Sequence, residues 1–358
     1  MAASSMTDQQ RPNLCATMHV HNQLVDENPE DYTNNRKQIE RFNSIYLGQT
    51  SRAGLRRGGI ATIPCVVHIV YNDPVQNISD EQVFSQFKVL DQCFRNLDPD
   101  AHSIPPAFAP LAADARMEFK LAMKDPNNES TSAITRTKTK KDGFSDNGDV
   151  KFDDRGGKNA WPSDKYFNIW VCNLEGGLLG YAQFPGGPRA TAGVVMNYKA
   201  FGTMGTASAP YDKGKTAVHE IGHCMNLLHL WGDDGGGCDG SDNIADTPNQ
   251  AGEHYRPPNF PHVSCGNDPN GDMFMNYMDY TDDVGMYMFT VGQVKRMDAT
   301  LNGPLASLLT SDVLTPPKVE DMANLLRTKG EDHKTKMAFD GAKWVPRSTL
   351  DYIPEGFE

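Results

Sequence analysis

His219 and His223 stand four residues apart in TAVHEIGHCMNLLHLW, the stretch from Thr216 to Trp231. On an α-helix that spacing leaves the two imidazoles about 40° apart on one face, near enough to grip a single ion. Two imidazoles so placed suit zinc. Glu220, directly after the first histidine, is poorly aimed as a ligand but can reach a metal-bound water as a general base. A third candidate ligand, His229, would lie roughly 15 Å further along a continuous helix, whereas a zinc–nitrogen bond is only about 2.1 Å. For His229 to join, the helix must stop and the chain must turn back near position 226 at a residue that tolerates positive φ. Asn226 is the non-glycine type that does so most readily.

The resulting pattern, H-E-x-x-H-x-x-N-x-x-H, resembles the long zinc signature of the metzincins, with Asn226 where most members carry glycine. Residues 273–283, MFMNYMDYTDD, are similar to the methionine-containing turn of the pappalysins, peptidase family M43. The resemblance spans about residues 10–305 and takes in GGLLGYAQFPGG at 176–187 and CDGSDNIADTP at 238–248. It implies an α+β fold: a two-lobed metzincin-like catalytic domain with a mixed twisted sheet, a backing helix, an active-site helix and an irregular lower lobe. It implies Met278 as the residue flooring the metal and Tyr280 beside the zinc as a stabiliser of the transition state. It further implies a disulfide between Cys238 and Cys265, calcium ligands at Asp242 and Thr247, and a latency switch at Cys15. Thiolate is a strong zinc ligand, so Cys15 in the fourth position would displace the catalytic water.

Two other classes fit part of this pattern. A catalytically idle zinc protein that binds extended peptides would keep the histidines, but Glu220 and Tyr280 are both present, which favours an enzyme. A purely structural zinc site calls for four protein ligands and no adjacent base. The expected activity is therefore that of a zinc endopeptidase, made as a latent zymogen and acting on protein or peptide substrates.

The elements that must position these groups can be followed along the chain. Residues 1–47 are the expected prosegment, with a helical pattern from about Pro29 to Tyr46; His19 and His21 read there as alternating polar residues on a strand. Residues 48–59, GQTSRAGLRRGG, form a Gly- and Arg-rich linker open to proteolysis, so the mature enzyme would begin between about Arg52 and Gly59. The catalytic domain is expected over 60–309, and 310–358 as an extension of unassigned role.

Within that domain, 60–71 reads as a buried strand, Ser79–Asp98 as an amphipathic helix backing the sheet, and Met117–Lys124, Lys165–Leu174 and 192–198 as further strands. His68 reads as a strand histidine, and 125–161 as a long loop or weak strands. Leu178–Phe184, flanked by glycines, suits an edge strand whose free backbone groups could hold an extended peptide antiparallel. Asp212 or a neighbour would cap an active-site helix running from about Lys213 to Met225 or Asn226. Asp233, Asp234, Asp239, Asp242 and Asp246 cluster among glycines, a composition that suits calcium and its six to eight oxygen ligands. A last helix, Thr290–Leu309, opens on a capping box of Thr290 and Gln293.

Composition narrows the partners. A net charge of −12 over 358 residues argues against nucleic acid or anionic membrane, which demand a basic surface. No apolar run approaches the ~20 residues of a membrane span. The first residues lack the apolar core of a signal peptide, yet the resemblance implies a secreted protein, expected as a monomer. Cys65, Cys93, Cys172 and Cys224 sit in apolar patterns and read as buried thiols. Some pappalysins select arginine or lysine through an acid shortly after the methionine turn. Here that neighbourhood is Val284–Phe289, VGMYMF, with Met286 near the critical position and Asp283 the closest carboxylate; Gly285 occupies the region of one partner of a second cysteine pair. Apolar or mixed side chains are expected on the primed side of the cut.

Overall fold

Val, Ile and Cys dominate Ala61–Tyr71, and this apolar run forms β1, buried along almost its whole length because both faces of the sheet are covered. The computed structural model describes residues 14–50 and 58–316 and two short strands, 337–339 and 344–346, which pair antiparallel. Most of the expected maturation linker, and most of the 310–358 extension, lie outside the described residues. β1 is long enough to pair along one side with two strands in succession: β2 (Met117–Leu121) over 61–65 and β3 (Ile134–Lys138) over 67–71. Its other side pairs with β4 (Phe167–Cys172), followed by β6 (Val194–Asn197) and, at the edge, β5 (Gly180–Ala182). Within this sheet the pairings are parallel except that of β5 with β6, so it is mixed as expected.

Alternation along the strands sends side chains to two separate cores. Cys65, Val67, Ile69, Ile169 and Val171 face the backing helix α3 (Asp80–Phe94) and the active-site helix α4 (Lys215–Cys224). Ser79 caps α3 by accepting from Gln82 N–H, and Val83, Leu90 and Phe94 are its buried stripe. Val70, Trp170, Cys172 and Val195 face the other way, onto Ala16, Val20 and Leu24 of the N-terminal segment.

That segment is helical, not extended. Thr17–Glu27 forms α1, so His19 and His21 sit on a helix rather than a strand; Val20 and Leu24, four apart, are what the helix buries. Each such burial contributes on the order of 2 kcal/mol before ordering costs. α2 (Pro29–Thr50) packs on α5 (Val291–Asn302), where Tyr46 Oη donates to Asp298 Oδ2 at 2.5 Å and accepts from Asn302 Nδ2 at 3.2 Å. The expected capping box of α5 forms through Thr290 and Gln293, but the helix ends at Asn302 rather than Leu309, and a short 3-10 turn follows over Ala306–Thr310. Packing continues beyond residue 309: Val313 is buried, and its carbonyl accepts from Met123 N at 2.7 Å. Between α4 and α5 the chain is irregular, with a Cys238–Cys265 disulfide closing part of it. The other five cysteines are buried thiols.

Candidate active site

Gly214, in left-handed conformation at φ +73°, precedes α4, and Asp212 is not its cap. The helix N-terminus is held instead from across the fold by Asp283, whose Oδ2 accepts from Lys213 N at 2.7 Å and Lys215 N at 3.3 Å. Every residue of α4 is buried. Gly222 faces the methionine turn so closely that a Cβ there would meet Met278 Sδ at 2.5 Å; only glycine lets the helix rest on that sulfur. Asn226 then takes φ +70°, and this turn carries His229 back toward the helix.

The three histidines converge. His223 Nε2 is 3.1 Å from both His219 Nε2 and His229 Nε2. Each opposite ring nitrogen has a partner: His219 Nδ1 lies 2.8 Å from Tyr277 O, His223 Nδ1 2.8 Å from Leu227 O, and His229 Nδ1 2.7 Å from Asp233 Oδ1. Proton donation from each Nδ1 fixes the tautomer and leaves three Nε2 lone pairs aimed at one point, the arrangement a tetrahedral zinc requires. Burial, then the neighbouring His229, lowers His219 to about 3 and holds His223 well below the usual imidazole range, so both rings are neutral ligands. The donor set therefore fits the metal.

Cys15 Sγ completes a group of four ligand atoms lying within 4.8 Å of one another. The thiol donates to Glu220 Oε2 at 3.4 Å, and burial followed by that carboxylate pushes it well up. A divalent cation among the imidazoles would pull it the opposite way. Residues 14–16 lie on the expected edge strand but run parallel to β5, opposite to the expected direction of a substrate: Ala16 N donates to Gly180 O at 3.2 Å, and Leu179 N to Leu14 O at 3.1 Å. Tyr280 Oη donates to the Cys15 carbonyl at 3.3 Å. Thr17 was not evident from sequence, because its contacts join residues 203 and 165 positions apart: its hydroxyl donates to Glu220 Oε2 at 2.9 Å and accepts from Ala182 N at 2.8 Å. Burial raises Glu220 to about 8, opposed by the hydrogen bonds from Cys15 and Thr17, and its Oε1 is buried without a partner. A cavity of about 20 Å³ remains beside these groups, lined by Tyr211, Thr216, Met286 and Asp283 among others.

The Asn226 side chain is also engaged. Asn226 Oδ1 accepts from Arg36 Nη1 at 2.7 Å, its Nδ2 donates to Glu40 Oε1 at 3.0 Å, and its carbonyl accepts from Arg296 Nε at 2.6 Å. Arg296 Nη2 also donates to Glu40 Oε1 at 2.7 Å, so one buried turn holds both α2 and α5. Asn226→Gly keeps the positive φ while deleting two contacts to α2, each worth about 1–2 kcal/mol. The expected result is faster release of the N-terminal segment after a cut in the linker, by roughly tenfold or more. Gel filtration of the nicked chain over time checks it; unchanged release would show that these contacts do not hold α2.

The acidic loop is mostly occupied by structural contacts. Asp233 orients His229, Asp234 accepts from four loop N–H groups, and Asp246 accepts from Thr290 Oγ1 and Gly292 N at the start of α5. Asp242 and Thr247 do meet, with Thr247 Oγ1 2.7 Å from Asp242 Oδ2, and burial raises Asp242 to about 7.

Comparison with known proteins agrees with this geometry. Residues 151–302 match peptidase family M43, described as pregnancy-associated plasma protein-A. An extracellular metalloprotease of Arthroderma otae is 29% identical over 259 residues, covering 70% of this chain and 81% of its own length. Among solved structures, a Tannerella forsythia promirolysin mutant is 45% identical, with a TM-score of 0.75 over 83% of this chain and 97% of its own. Mature mirolysin of the same organism, in complex with a cleaved peptide, is 49% identical with a TM-score of 0.69 over 73% of this chain and all of its own. Identity of that order over whole catalytic chains, on a sheet and helix set that gather an H-E-x-x-H pair, places this chain in peptidase family M43, the pappalysin-type metzincins, as a metalloendopeptidase.

Proposed function

We propose that this chain is a secreted, monomeric zinc endopeptidase made in a latent form, in which residues 1–47 are the prosegment, 48–59 the segment cut on maturation and 60–309 the catalytic domain. The observation that carries the reading is the convergence of three Nε2 atoms, each with its opposite ring nitrogen held, beside the carboxylate of Glu220. The pro form of the related protease matches 83% of this chain and the mature form 73%, the sense expected if the N-terminal segment is what maturation removes. The relatives' extracellular names support secretion.

When bound by His219, His223 and His229, zinc supplies Lewis acidity and a water of lowered pKa. In the latent chain Glu220 accepts from Thr17 beneath residues 14–16; once residues 14–17 leave, its carboxylate is free to take a proton from the attacking water and return it to the leaving amine. Tyr280, whose hydroxyl now donates to a prosegment carbonyl, then donates to the oxygen of the scissile carbonyl as charge develops there. Gly180, vacated by Cys15, offers its backbone groups to an extended substrate.

We assign to the primed side the cavity that Met286, Thr216 and Tyr211 line. Asp283 reaches it too, but one of its oxygens is taken by the α4 N-terminus and burial raises its carboxyl to about 7, so it serves the helix before any substrate. Apolar or mixed side chains are therefore preferred there, and strong arginine or lysine selectivity in a peptide-library digest would refute this. Calcium at Asp242 and Thr247 is supported by their buried contact, and calcium-dependent thermal stability lost in Asp242→Ala would test it.

The test of the enzyme reading is hydrolysis of an unfolded protein by the cut chain, with and without a zinc chelator, alongside Tyr280→Phe. Chelation is expected to abolish activity and added zinc to restore it. Loss of the phenol hydroxyl is expected to lower kcat by about 10²–10³ with little change in KM. Activity indifferent to the chelator would sink the proposal.

A further inference from the structure

We propose a second transition-metal site in the lower lobe, formed by His254, His262 and Asp272 and suited to zinc. His254 Nε2, His262 Nδ1 and Asp272 Oδ2 face one another, with 3.3 Å between the two nitrogens, 3.3 Å from His254 to the carboxylate and 2.7 Å from His262 to it. Ligands on a tetrahedral zinc with bonds near 2.1 Å lie about 3.4 Å apart. The spacing is therefore similar to that of the catalytic imidazoles at 3.1 Å.

The surroundings hold these atoms in place. His254 Nδ1 lies 2.8 Å from Asp279 Oδ2 and His254 N donates to Asp279 Oδ1 at 2.8 Å, a carboxylate–histidine arrangement that fixes the ring and turns Nε2 toward the other two ligand atoms, where a metal would displace the proton that Asp272 and Asp279 favour. The second oxygen of Asp272 accepts from Ser264 Oγ at 2.6 Å and Asn267 Nδ2 at 2.5 Å, so Oδ2 alone points at the imidazoles. Asp272 N donates to His262 O at 2.6 Å across the left-handed Gly271, which fixes the two ligating residues relative to each other. Asp272 is 1% exposed, whereas the His262 side chain is 47% exposed, leaving a solvent side for a water as fourth ligand. Two nitrogens and one oxygen favour zinc or a neighbouring transition metal over calcium, which takes oxygen ligands.

The site joins two parts of the lobe. Asp279 lies between Met278 and Tyr280 and accepts from Tyr280 N at 2.7 Å, while His262 stands three residues before disulfide-bonded Cys265. A bound ion would tie the disulfide-closed loop to the turn that presents Tyr280.

The uncut full chain, stripped with chelator, reloaded with zinc and desalted, provides the test by elemental analysis. Wild type is expected to retain two zinc ions per chain. His262→Ala and Asp272→Asn are expected to retain one, and His223→Ala to retain one by losing the other. Circular dichroism establishes that each variant is folded; His262, half exposed, is the substitution least disturbing to packing. Zinc is also expected to raise the thermal midpoint of His223→Ala but not of the double variant with His262→Ala. One zinc in wild type with none lost in His262→Ala would overturn the proposal, leaving His254 as a cation between Asp272 and Asp279. Two zinc ions that both survive His262→Ala would place the second elsewhere and overturn it equally. Loss of zinc from His223→Ala alone bears on the catalytic site, so the two readings fail separately.

Discussion

Glu220→Gln in the matured chain is expected to lower kcat by about 10²–10⁴, the range a positioned general base contributes, with KM nearly unchanged and zinc retained. The carboxylate stands directly after a ligand histidine on a helix buried throughout, so its position is set by α4 rather than by its own contacts. The amide keeps that volume and still accepts from Thr17 in the latent chain, where the carboxylate now accepts at 2.9 Å. It cannot take a proton from water. Folding is expected to be preserved or improved, because a carboxylate that burial pushes to about 8 is held in the fold against its desolvation cost. Stopped-time assays on a quenched peptide, with zinc content measured on the same samples, check both halves. A variant that keeps full kcat with zinc bound would remove Glu220 from the chemistry, and one that loses zinc would make it a structural residue.

Cys15→Ala in the uncut chain is expected to produce the second large effect: hydrolysis of a reporter peptide, and self-cleavage within 48–59, at least tenfold faster than wild type. Two kinds of contact hold the N-terminal segment over the site, and their magnitudes decide the outcome. Among the described residues of the segment, the thiol is the one group whose ligand atom lies among the three Nε2 atoms, and a thiolate on zinc is far stronger than a single neutral hydrogen bond of about 1 kcal/mol. The remaining hold is broad: the edge pairing with Gly180, Thr17 on Glu220, Val20 and Leu24 on the sheet, and the Arg36–Asn226–Glu40 contacts. These persist in the variant, so the segment stays folded and the site opens intermittently. Activity is therefore expected to be a fraction of that of the cut enzyme. A variant as silent as wild type would show that steric cover by α1 and α2 suffices for latency.

Much of this was legible from residues close together in the chain. The four-residue spacing of His219 and His223, the need for a positive-φ residue at 226, the β-branched run of β1, the stripe of α3 and the capping box of α5 all follow from helix and strand periods that act over a few residues. Boundaries were less well set. α5 stopped at Asn302 and the 117–124 strand at Leu121, because ends depend on what packs beside them. The N-terminal histidines misled for a related reason: alternation of polar residues over five positions fits a strand, but Val20 and Leu24 had a sheet face to cover, and four-residue spacing covers it.

By itself, then, the sequence pointed to the family and to the candidate groups: which imidazoles can share an ion, which carboxylate stands next to them, and where the chain must turn. Tertiary structure alone decided what occupies that site and what supports it. Thr17 on Glu220, Asp283 at the head of α4, Asn226 binding α2 and the meeting of His254, His262 and Asp272 with Asp279 behind them join segments that no local period relates. The direction in which residues 14–16 lie along β5 belongs with them. The physical reason is that a helix or strand period fixes only which residues share a face. Which distant face comes to cover it is settled by burying apolar area and pairing every buried polar group, sums that close only over the whole fold.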